Sequence, residues 1–193
     1  MLVLNDPYLG GTHLPDVTLI APVFVEQGRR LIGFVANRAH HENIGCDTPG
    51  SMPMSSNLEE EGLIIPPTLL FKSGVLQQEA LSLLQIQENS LSGDFAAQTG
   101  ANKLGVQRLQ SLLLPMTVID YELGMRELND YADRITANAI AGLQVGEYNF
   151  TDYLDDDGCG HSNIKLALTL RIKPDRLELD FRDSSEQVDG NLN

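Results

Sequence analysis

The sequence predicts an α+β fold in which antiparallel β-hairpins at both ends of the chain flank a central helical pair. Residues 17–25 and 30–40 are two apolar, β-rich runs separated by a short polar turn with a glycine, which is typical of a hairpin. Residues 94–114 and 117–141 carry apolar side chains at helical spacing. Residues 163–172 alternate apolar and polar side chains and turn at Pro174-Asp175 into a partner strand. Strands, then helices, then strands indicate an α+β domain.

The length of 193 residues is enough for one domain with a substantial core, and 42% of the residues are hydrophobic. We expect a single domain over residues 1–193 made of three segments. Residues 1–78 form a β-rich region, residues 79–142 are helical, and residues 143–193 return to β-structure. No internal repeat or low-complexity tract interrupts the chain.

The charge balance excludes two classes of partner. The chain has 27 acidic and 13 basic residues and a net charge of −14. It offers no basic patch that could bind a nucleic acid, and its acidity argues against binding to an anionic membrane surface. No apolar run reaches the ~18–20 residues that span a bilayer.

The two cysteines, Cys46 and Cys159, form neither a disulfide framework nor a CxxC metal knuckle. They fit a reduced, cytoplasmic compartment, and no signal peptide is visible at the first residues. The apolar start Leu2–Leu4 is typical of the tail of a strand, so both ends are expected to be cut from a longer protein.

The first hairpin predicts which residues meet. With the turn centred near Gly28, paired residues have numbers that sum to about 56. Asp16 therefore lies roughly opposite His40, at the edge where the first strand starts and the second ends. Facing Cα atoms of an antiparallel pair are ~4.5–5.5 Å apart. Pro22 lacks an amide donor and indicates a bulge or an edge position in the first strand.

The opening stretch, residues 5–16, is predicted to be a shaped loop that binds a divalent metal together with the second strand. It holds His13, Asp16 and Asp6, and the hairpin brings His40 and His41 next to it. His13, Asp16 and His40 are the candidate ligands, with His41 and Asp6 as possible additions. Imidazole with carboxylate suits Mn²⁺, Fe²⁺ or Zn²⁺. The alternative is that these are surface or hydrogen-bonded histidines.

The middle of the chain is predicted to be an ordered wrapping loop followed by helices. Residues 42–78 are too rich in Pro and Gly for long elements and too apolar to be disordered. A short helix is expected near 79–87. The two long helices have matched stripes and are expected to pair antiparallel. The stripe of the first is Phe95, Thr99, Asn102, Val106, Leu109 and Leu113, and that of the second is Tyr121, Met125, Leu128, Ala132, Ile135 and Ala139. Gly100 and Gly105 indicate close packing of the first against another element.

Four further patterns are weaker candidates. Asp155-Asp156-Asp157-Gly158 lacks EF-hand spacing and favours a solvated turn. Cys46, or Cys159 with His161, has no visible third group to orient a nucleophile, so ordinary free thiols are favoured. Gly10-Gly11 favours a tight turn over a phosphate cradle. The run Glu59-Glu60-Glu61 is either solvated or supplies one base or ligand.

Several motifs together resemble the hydantoinase B/oxoprolinase family over essentially the whole chain. They are Asn-Asp-Pro-Tyr-Leu-Gly-Gly-Thr-His-Leu-Pro-Asp-Val, Ala-Asn-Arg-Ala-His-His, Pro-Gly-Ser-Met-Pro and Glu-Glu-Gly-Leu-Ile-Ile-Pro-Pro. Later landmarks are Gly-Asp-Phe-Ala-Ala-Gln at 93–98 and Asp-Phe-Arg-Asp-Ser-Ser at 180–185.

The resemblance implies ATP-dependent ring opening of a cyclic amide, hydantoin or 5-oxoproline, with this chain as part of the B-type subunit. ATP is bound by a separate A-type subunit of the sugar-kinase/actin type, which is the implied partner. The family also includes a ketone carboxylase whose B-type subunit holds manganese. By motif, the ligands of such an ion here are His13, Asp16 and His40, with Asp6 and His41 nearby as possible supports for these ligands.

Two departures shape the expectation for this chain. After the histidine pair the family pattern has Asp-Ile-Gly-Gly, where this chain has Asn43-Ile44-Gly45-Cys46. Family subunits are also far longer, so the chain is expected to be a central fragment that is inactive in isolation. The alternatives are a subunit of an ATP-dependent ketone carboxylase, or a non-catalytic truncated remnant that scaffolds an A-type partner. A homo-oligomer is possible.

Overall fold

A computed structural model describes residues 1–26, 29–50, 53–87, 90–91, 93–190 and 192. The chain divides into two compact units, Met1–Ile119 and Asp120–Asn193. The single domain expected for residues 1–193 stays a prediction, because a division by packing does not show whether either unit folds alone. The α+β class with antiparallel sheets toward both ends of the chain is confirmed.

The first unit contains short and long strands followed by two helices. The strands are β1 (Leu2–Leu4), β2 (Asp16–Val25), β3 (Arg30–His40), β4 (Thr68–Leu69), β5 (Phe71–Lys72) and β6 (Val75–Leu76), and the helices are α1 (Gln78–Leu83) and α2 (Gly93–Leu112). Short 3-10 helices cover Pro7–Leu9 and Leu58–Glu61. The predicted wrapping loop with short strands is therefore confirmed.

The main sheet has the strand order β3-β2-β1-β4 with antiparallel neighbours. Asp16 pairs with His40, and the same register continues to Val23 opposite Gly33. The predicted pairing of Asp16 and His40 is confirmed. Gly28, near which the predicted turn is centred, lies outside the described residues.

The hairpin has an irregularity one residue beyond Pro22, where the register shifts between Val23 and Phe24. The predicted bulge is thus confirmed, but β2 is a central strand. Its other neighbour, β1, pairs with it only from Thr18 to Ile20. The missing amide donor of Pro22 therefore falls beyond the ladder with β1, where it costs no hydrogen bond.

The core of the first unit lies between the main sheet, the wrapping loop and α1. Its buried residues are Val3, Leu14, Val17, Leu19, Ile44, Ile65, Leu70, Ala80 and Leu84. One buried amide, Asn5, ties three segments together at this point. Its Nδ2 donates to the carbonyls of Leu14 (2.8 Å) and Leu63 (2.9 Å), and its Oδ1 accepts from the amide of Ile65 (2.6 Å). Both ends of the opening loop are thereby anchored to the core.

Helix α2 packs on strands β2 and β3. Its predicted stripe is buried or half-buried at all six positions from Phe95 to Leu113. Gly105 makes the close approach that was predicted, because a Cβ there would lie 2.6 Å from Cγ1 of Val35. The same prediction is wrong for Gly100, where a Cβ would meet nothing within 4 Å.

Helix α3 (Val118–Ala141) begins two residues before the unit boundary, and the second unit contains the rest of it. The unit also contains the strands β7 (Gly146–Asp156), β8 (Ser162–Ile172) and β9 (Leu177–Asp180). The strands form an antiparallel sheet in that order. The stripe on α3 is largely exposed, with Met125, Leu128 and Ile135 at 45%, 59% and 50%. The pairing of the two long helices would join the two units and stays a prediction. None of the described helices is long and apolar enough to cross a membrane.

Two glycines of α2 should respond oppositely to the same substitution. Gly100→Ala should raise the free energy of unfolding by about 0.5–1 kcal/mol, since alanine favours a helix and the position is open. Gly105→Ala should give no gain or a loss, because the new methyl group meets Val35. Urea unfolding followed by circular dichroism measures both, and equal stabilisation by the two variants would contradict the packing of α2 on β3.

Candidate metal centre

The opening loop is shaped by its own backbone. The carboxylate of Asp6 accepts from the amide of Tyr8 (2.9 Å), and the Asp6 carbonyl accepts from Leu9 (3.1 Å) and Gly11 (2.7 Å). A Cβ at Gly11 would lie 1.9 Å from the Asn5 carbonyl oxygen, and Gly10 has φ of 104°. The glycine pair therefore permits a tight turn, as the sequence favoured. The observed contact of Asp6 is a cap on this turn.

The loop brings His13 to the end of the hairpin. The rings of His13 and His40 lie with their centroids 5.6 Å apart and their planes at 47°. Asp16 is the residue directly opposite His40 in the β2–β3 pair. The Nε2 atom of His13 is buried and has no hydrogen-bond partner among the described residues. An unpaired buried nitrogen is unfavourable by about 1–3 kcal/mol, so this atom is free to bind a ligand.

Four side chains share one face of the hairpin, which we call the site face. Cross-strand partners point the same way, and so do alternate residues of a strand. The pairs Asp16–His40 and Thr18–Arg38 are two residues apart, so all four lie on the site face. Arg38 was not assigned a role from the sequence. Its place two residues before His40 in a predicted strand was the signal that could have found it.

His41 directly follows β3 and lies on the face opposite to that of His40, which we call the helix face. It is buried at 4% exposure, and its Nε2 atom is 2.9 Å from Oε1 of Gln98. Its ring packs edge-on against Phe95 at 4.6 Å. Consecutive residues of a strand point to opposite faces, so the environment of His41 differs from the one predicted beside His13 and His40.

Gln98 of α2 bonds to both strands of the hairpin at the end that carries the candidate site. Its Nε2 donates to the Val17 carbonyl (2.9 Å) and to Oδ1 of Asn37 (2.8 Å). Since those two bonds fix the amide orientation, Oε1 must accept from His41, which sets the His41 tautomer with its proton on Nε2. Val17 follows Asp16 and His41 follows His40, so one side chain holds the neighbours of both candidate ligands.

Asn37 and Asn102 complete this buried amide network. Asn37 donates to the Gln98 carbonyl (2.9 Å) and to Oδ1 of Asn102 (2.9 Å), while Asn102 donates to the Leu19 carbonyl (3.0 Å). Sequence reasoning assigned no role to Gln98 or Asn37. The signal was available in α2, where Thr99 and Asn102 are polar residues on a stripe predicted to be buried.

The structure brings the predicted ligands to one place without completing a metal cage. His13 and His40 are in contact, and Asp16 is paired with His40. Within the described ranges, no group of three or more His, Cys, Asp and Glu side chains is arranged to hold an ion. Metal binding therefore stays a prediction.

The comparisons with known proteins agree with the motifs. All 193 residues match the family model described as hydantoinase B/oxoprolinase. The chain belongs to the hydantoinase B/oxoprolinase family. It is 34% identical to the 5-oxoprolinase of Saccharomyces cerevisiae, over 100% of this chain and 16% of that protein. It is 30% identical to the B-type subunit of a putative D-/L-hydantoinase of Pseudomonas sp. (strain NS671), over 97% of this chain and 33% of that protein.

Two solved structures resemble this member of the hydantoinase B/oxoprolinase family. The ATP-dependent caprolactamase from Pseudomonas jessenii has a TM-score of 0.80 at 29% identity, covering 92% of this chain and 31% of that one. Acetone carboxylase in its nucleotide-free form has a TM-score of 0.81 at 20% identity, covering 95% of this chain and 26% of that one. The second likeness concerns the fold alone. The chain spans about a third or less of each of these relatives.

Outside the site face, the acidic turn of this hydantoinase B-type chain differs from the sequence expectation. Asp157 is buried at 4% exposure, although a solvated turn was favoured. Its Oδ1 accepts from the amides of Cys159 (2.8 Å) and His161 (3.0 Å), and its Oδ2 accepts from Nδ1 of His161 (2.7 Å). Asp157 is thus the orienting group for His161 that the sequence did not reveal.

Several forces act on the ionisation of Asp157. Burial raises the pKa of this carboxyl, and this is outweighed by the amides of Cys159 and His161 and by the His161 ring, so the pKa falls to about 2. A lowered folded-state pKa means that the ionised form is favoured by folding. The carboxylate therefore stabilises the turn whenever it is charged.

Replacing Gln98 should destabilise the first unit. Gln98→Leu removes a buried hydrogen-bond partner from three groups, which are the Val17 carbonyl, the Asn37 side chain and the His41 ring. This loss should lower the free energy of unfolding by about 2–4 kcal/mol. Gln107→Leu, an exposed position of the same helix, is the matched control and should change stability by less than about 0.5 kcal/mol. Urea unfolding measures both, and a small loss in Gln98→Leu would contradict the network.

The turn around Asp157 should lose stability in acid. The contribution is full above about pH 4, the ordinary pKa of an unfolded aspartate, and is lost as the pH falls toward the folded-state pKa of about 2. Asp157→Asn should be less stable at neutral pH and should lack this dependence. Urea unfolding between pH 5 and pH 2.5 tests it, with exposed Asp155→Asn as control; the same pH profile for Asp157→Asn and wild type would contradict the assignment.

Proposed function

We propose that this chain is part of a B-type subunit of an ATP-dependent cyclic amidase that opens hydantoin or 5-oxoproline. Membership of the hydantoinase B/oxoprolinase family supports the reaction class. Among the similar proteins, those named for a reaction include 5-oxoprolinases, a putative hydantoinase subunit and a caprolactamase subunit, all of which act on cyclic amides by name. Acetone carboxylase is similar at 20% identity, which bears on the fold and does not favour ketone carboxylation.

The observation that carries the proposal is the arrangement of His13, His40 and Asp16. Two imidazoles in contact, and an aspartate directly opposite one of them in the strand pair, supply donors that suit Mn²⁺, with Zn²⁺ and Fe²⁺ as alternatives. The buried, unpaired Nε2 of His13 fits this use, since a metal bond would satisfy an atom that has no partner among the described residues. His13, Asp16 and His40 would hold the ion.

A divalent ion held by His13, Asp16 and His40 would supply Lewis-acid polarisation of a substrate oxygen. The residues of the chain position the donors. The capped loop fixes His13, and the Gln98 network fixes the strand ends that carry Asp16 and His40. The placement of the three candidate ligands thus depends on hydrogen bonds within the protein itself.

The ATP-dependent half of the reaction belongs to a partner in this proposal. Similar proteins are named as the B or β component of a hydantoinase and a caprolactamase. We propose an A-type subunit that binds ATP as the partner of this chain. The isolated chain is expected to show no turnover of a cyclic amide, and activity is expected only with the remaining parts of the enzyme.

Metal analysis tests the proposed site. The chain purified with Mn²⁺ and dialysed should retain about one equivalent of metal, and His13→Ala or His40→Ala should lose it because each removes an imidazole donor. Asp16→Ala should weaken retention. His161→Gln is the matched control, because this histidine bonds to Asp157 in the other unit. Inductively coupled plasma mass spectrometry gives the content, and circular dichroism confirms folding.

Equal metal content in wild type, His13→Ala and His40→Ala would contradict the site. ATP-dependent loss of 5-oxoproline or hydantoin, measured with the chain in its full-length subunit and an A-type partner, tests the reaction. Metal binding without turnover there would favour a scaffold that binds the partner, and turnover of acetone alone would favour a ketone carboxylase.

A further inference from the structure

Arg38 carries the guanidinium group that lies on the site face. It lies two residues before His40 on β3 and directly opposite Thr18 on β2. Its side chain is therefore on the same face as Asp16 and His40, and on the side to which the opening loop delivers His13.

Three hydrogen bonds hold this guanidinium in place, and all three acceptors are uncharged. Nε donates to Oγ1 of Thr18 (2.7 Å), Nη1 to Oγ1 of Thr12 (3.1 Å) and Nη2 to the Gly10 carbonyl (3.3 Å). Thr12 and Gly10 belong to the loop that carries His13. A guanidinium has five N–H groups, so one N–H on each Nη atom is left over.

The positive charge of Arg38 has no carboxylate partner. Within the described ranges, Arg171, Arg176 and Arg182 each form an ion pair with an aspartate or glutamate, and Arg38 forms none. The chain has 27 acidic residues against 13 basic ones, so carboxylates are abundant. A fixed arginine that is bound by neutral groups and keeps one free N–H on each Nη atom suits an oxyanion, which a guanidinium binds through charge-assisted hydrogen bonds.

We propose that Arg38 binds an oxyanion of the reacting molecule beside His13 and His40. The oxyanion is either the carboxylate of a lactam such as 5-oxoproline or a phosphate group transferred from ATP. The choice of these candidate molecules rests on the proposed cyclic-amidase function. The expectation that Arg38 binds an anion rests only on the residues of the site face. Arg38 then determines whether a charged lactam is preferred over a neutral one.

Ligand titration of the 193-residue chain, without added metal, tests the proposal. Three probes separate the sources: 5-oxoproline, 2-pyrrolidinone as the same ring without the carboxylate, and inorganic phosphate. Wild type should bind 5-oxoproline or phosphate more tightly than 2-pyrrolidinone, by calorimetry or by chemical shifts. Arg38→Gln should lower the affinity for the anion by about tenfold or more, since the charge-assisted contact with the guanidinium is lost. Arg38→Lys should retain part of the affinity.

Arg108→Gln is the matched control, because it removes the same charge from an exposed position of α2. It should bind the anions as wild type does. Should Arg38→Gln fail to fold, the wild-type chain still gives the result: the Nε–H signal of Arg38 should shift on addition of the bound anion. Binding of 5-oxoproline without binding of phosphate would identify the substrate carboxylate as the anion that Arg38 binds. Binding of phosphate without binding of 5-oxoproline would identify the phosphoryl group.

Three results would overturn the proposal: no saturable binding of either anion to wild type, equal anion affinity in Arg38→Gln and wild type, or an unmoved Arg38 signal in the presence of a bound anion. Loss of metal binding or turnover with anion binding intact would count against the proposed function and leave Arg38 as an anion site.

Discussion

The register of the β2–β3 hairpin is the constraint on which the candidate site depends. It puts Asp16 opposite His40 and Arg38 opposite Thr18 on one face of the sheet. A slip by one residue would send each of these side chains to the other face. Gln98 opposes such a slip, because it bonds to the Val17 carbonyl and to His41 at the same time. The packing of α2 on the hairpin therefore also fixes the placement of the site.

The two faces of the hairpin have different tasks. The helix face carries His41 and Asn37, and the Nε2 atom of His41 and the side-chain amide of Asn37 are paired inside the protein. The site face carries exposed His40 and Arg38, together with a His13 nitrogen that has no partner among the described residues. Groups that bind a ligand must keep free donors or acceptors, whereas groups that stabilise a core must use them. Separation onto two faces of a strand satisfies both demands at adjacent residues.

The opening loop connects the core to the site. Asn5 anchors its start to the core by three hydrogen bonds, and Gly11 allows the chain to pass close to the Asn5 carbonyl. Arg38 then contacts the loop at Gly10 and Thr12, one residue before His13. The loop has little regular structure of its own, and its shape comes from these contacts. Asp6, predicted near the metal, acts within the loop as a cap.

The sequence by itself determined the α+β class, the hairpin and the pairing of Asp16 with His40, because alternation, turn residues and residue numbering fix a local antiparallel ladder. It also determined the family, through motifs that need no structure. Only the tertiary structure decided that His41 faces α2, that Gln98 joins both strands, that Asp157 is buried, and that Gly105 packs closely while Gly100 does not. These depend on which surfaces meet across long stretches of chain, and a local pattern does not encode that. The same reason explains why the role of Arg38 came from its neighbours in space: its three acceptors lie 20 to 28 residues away along the chain.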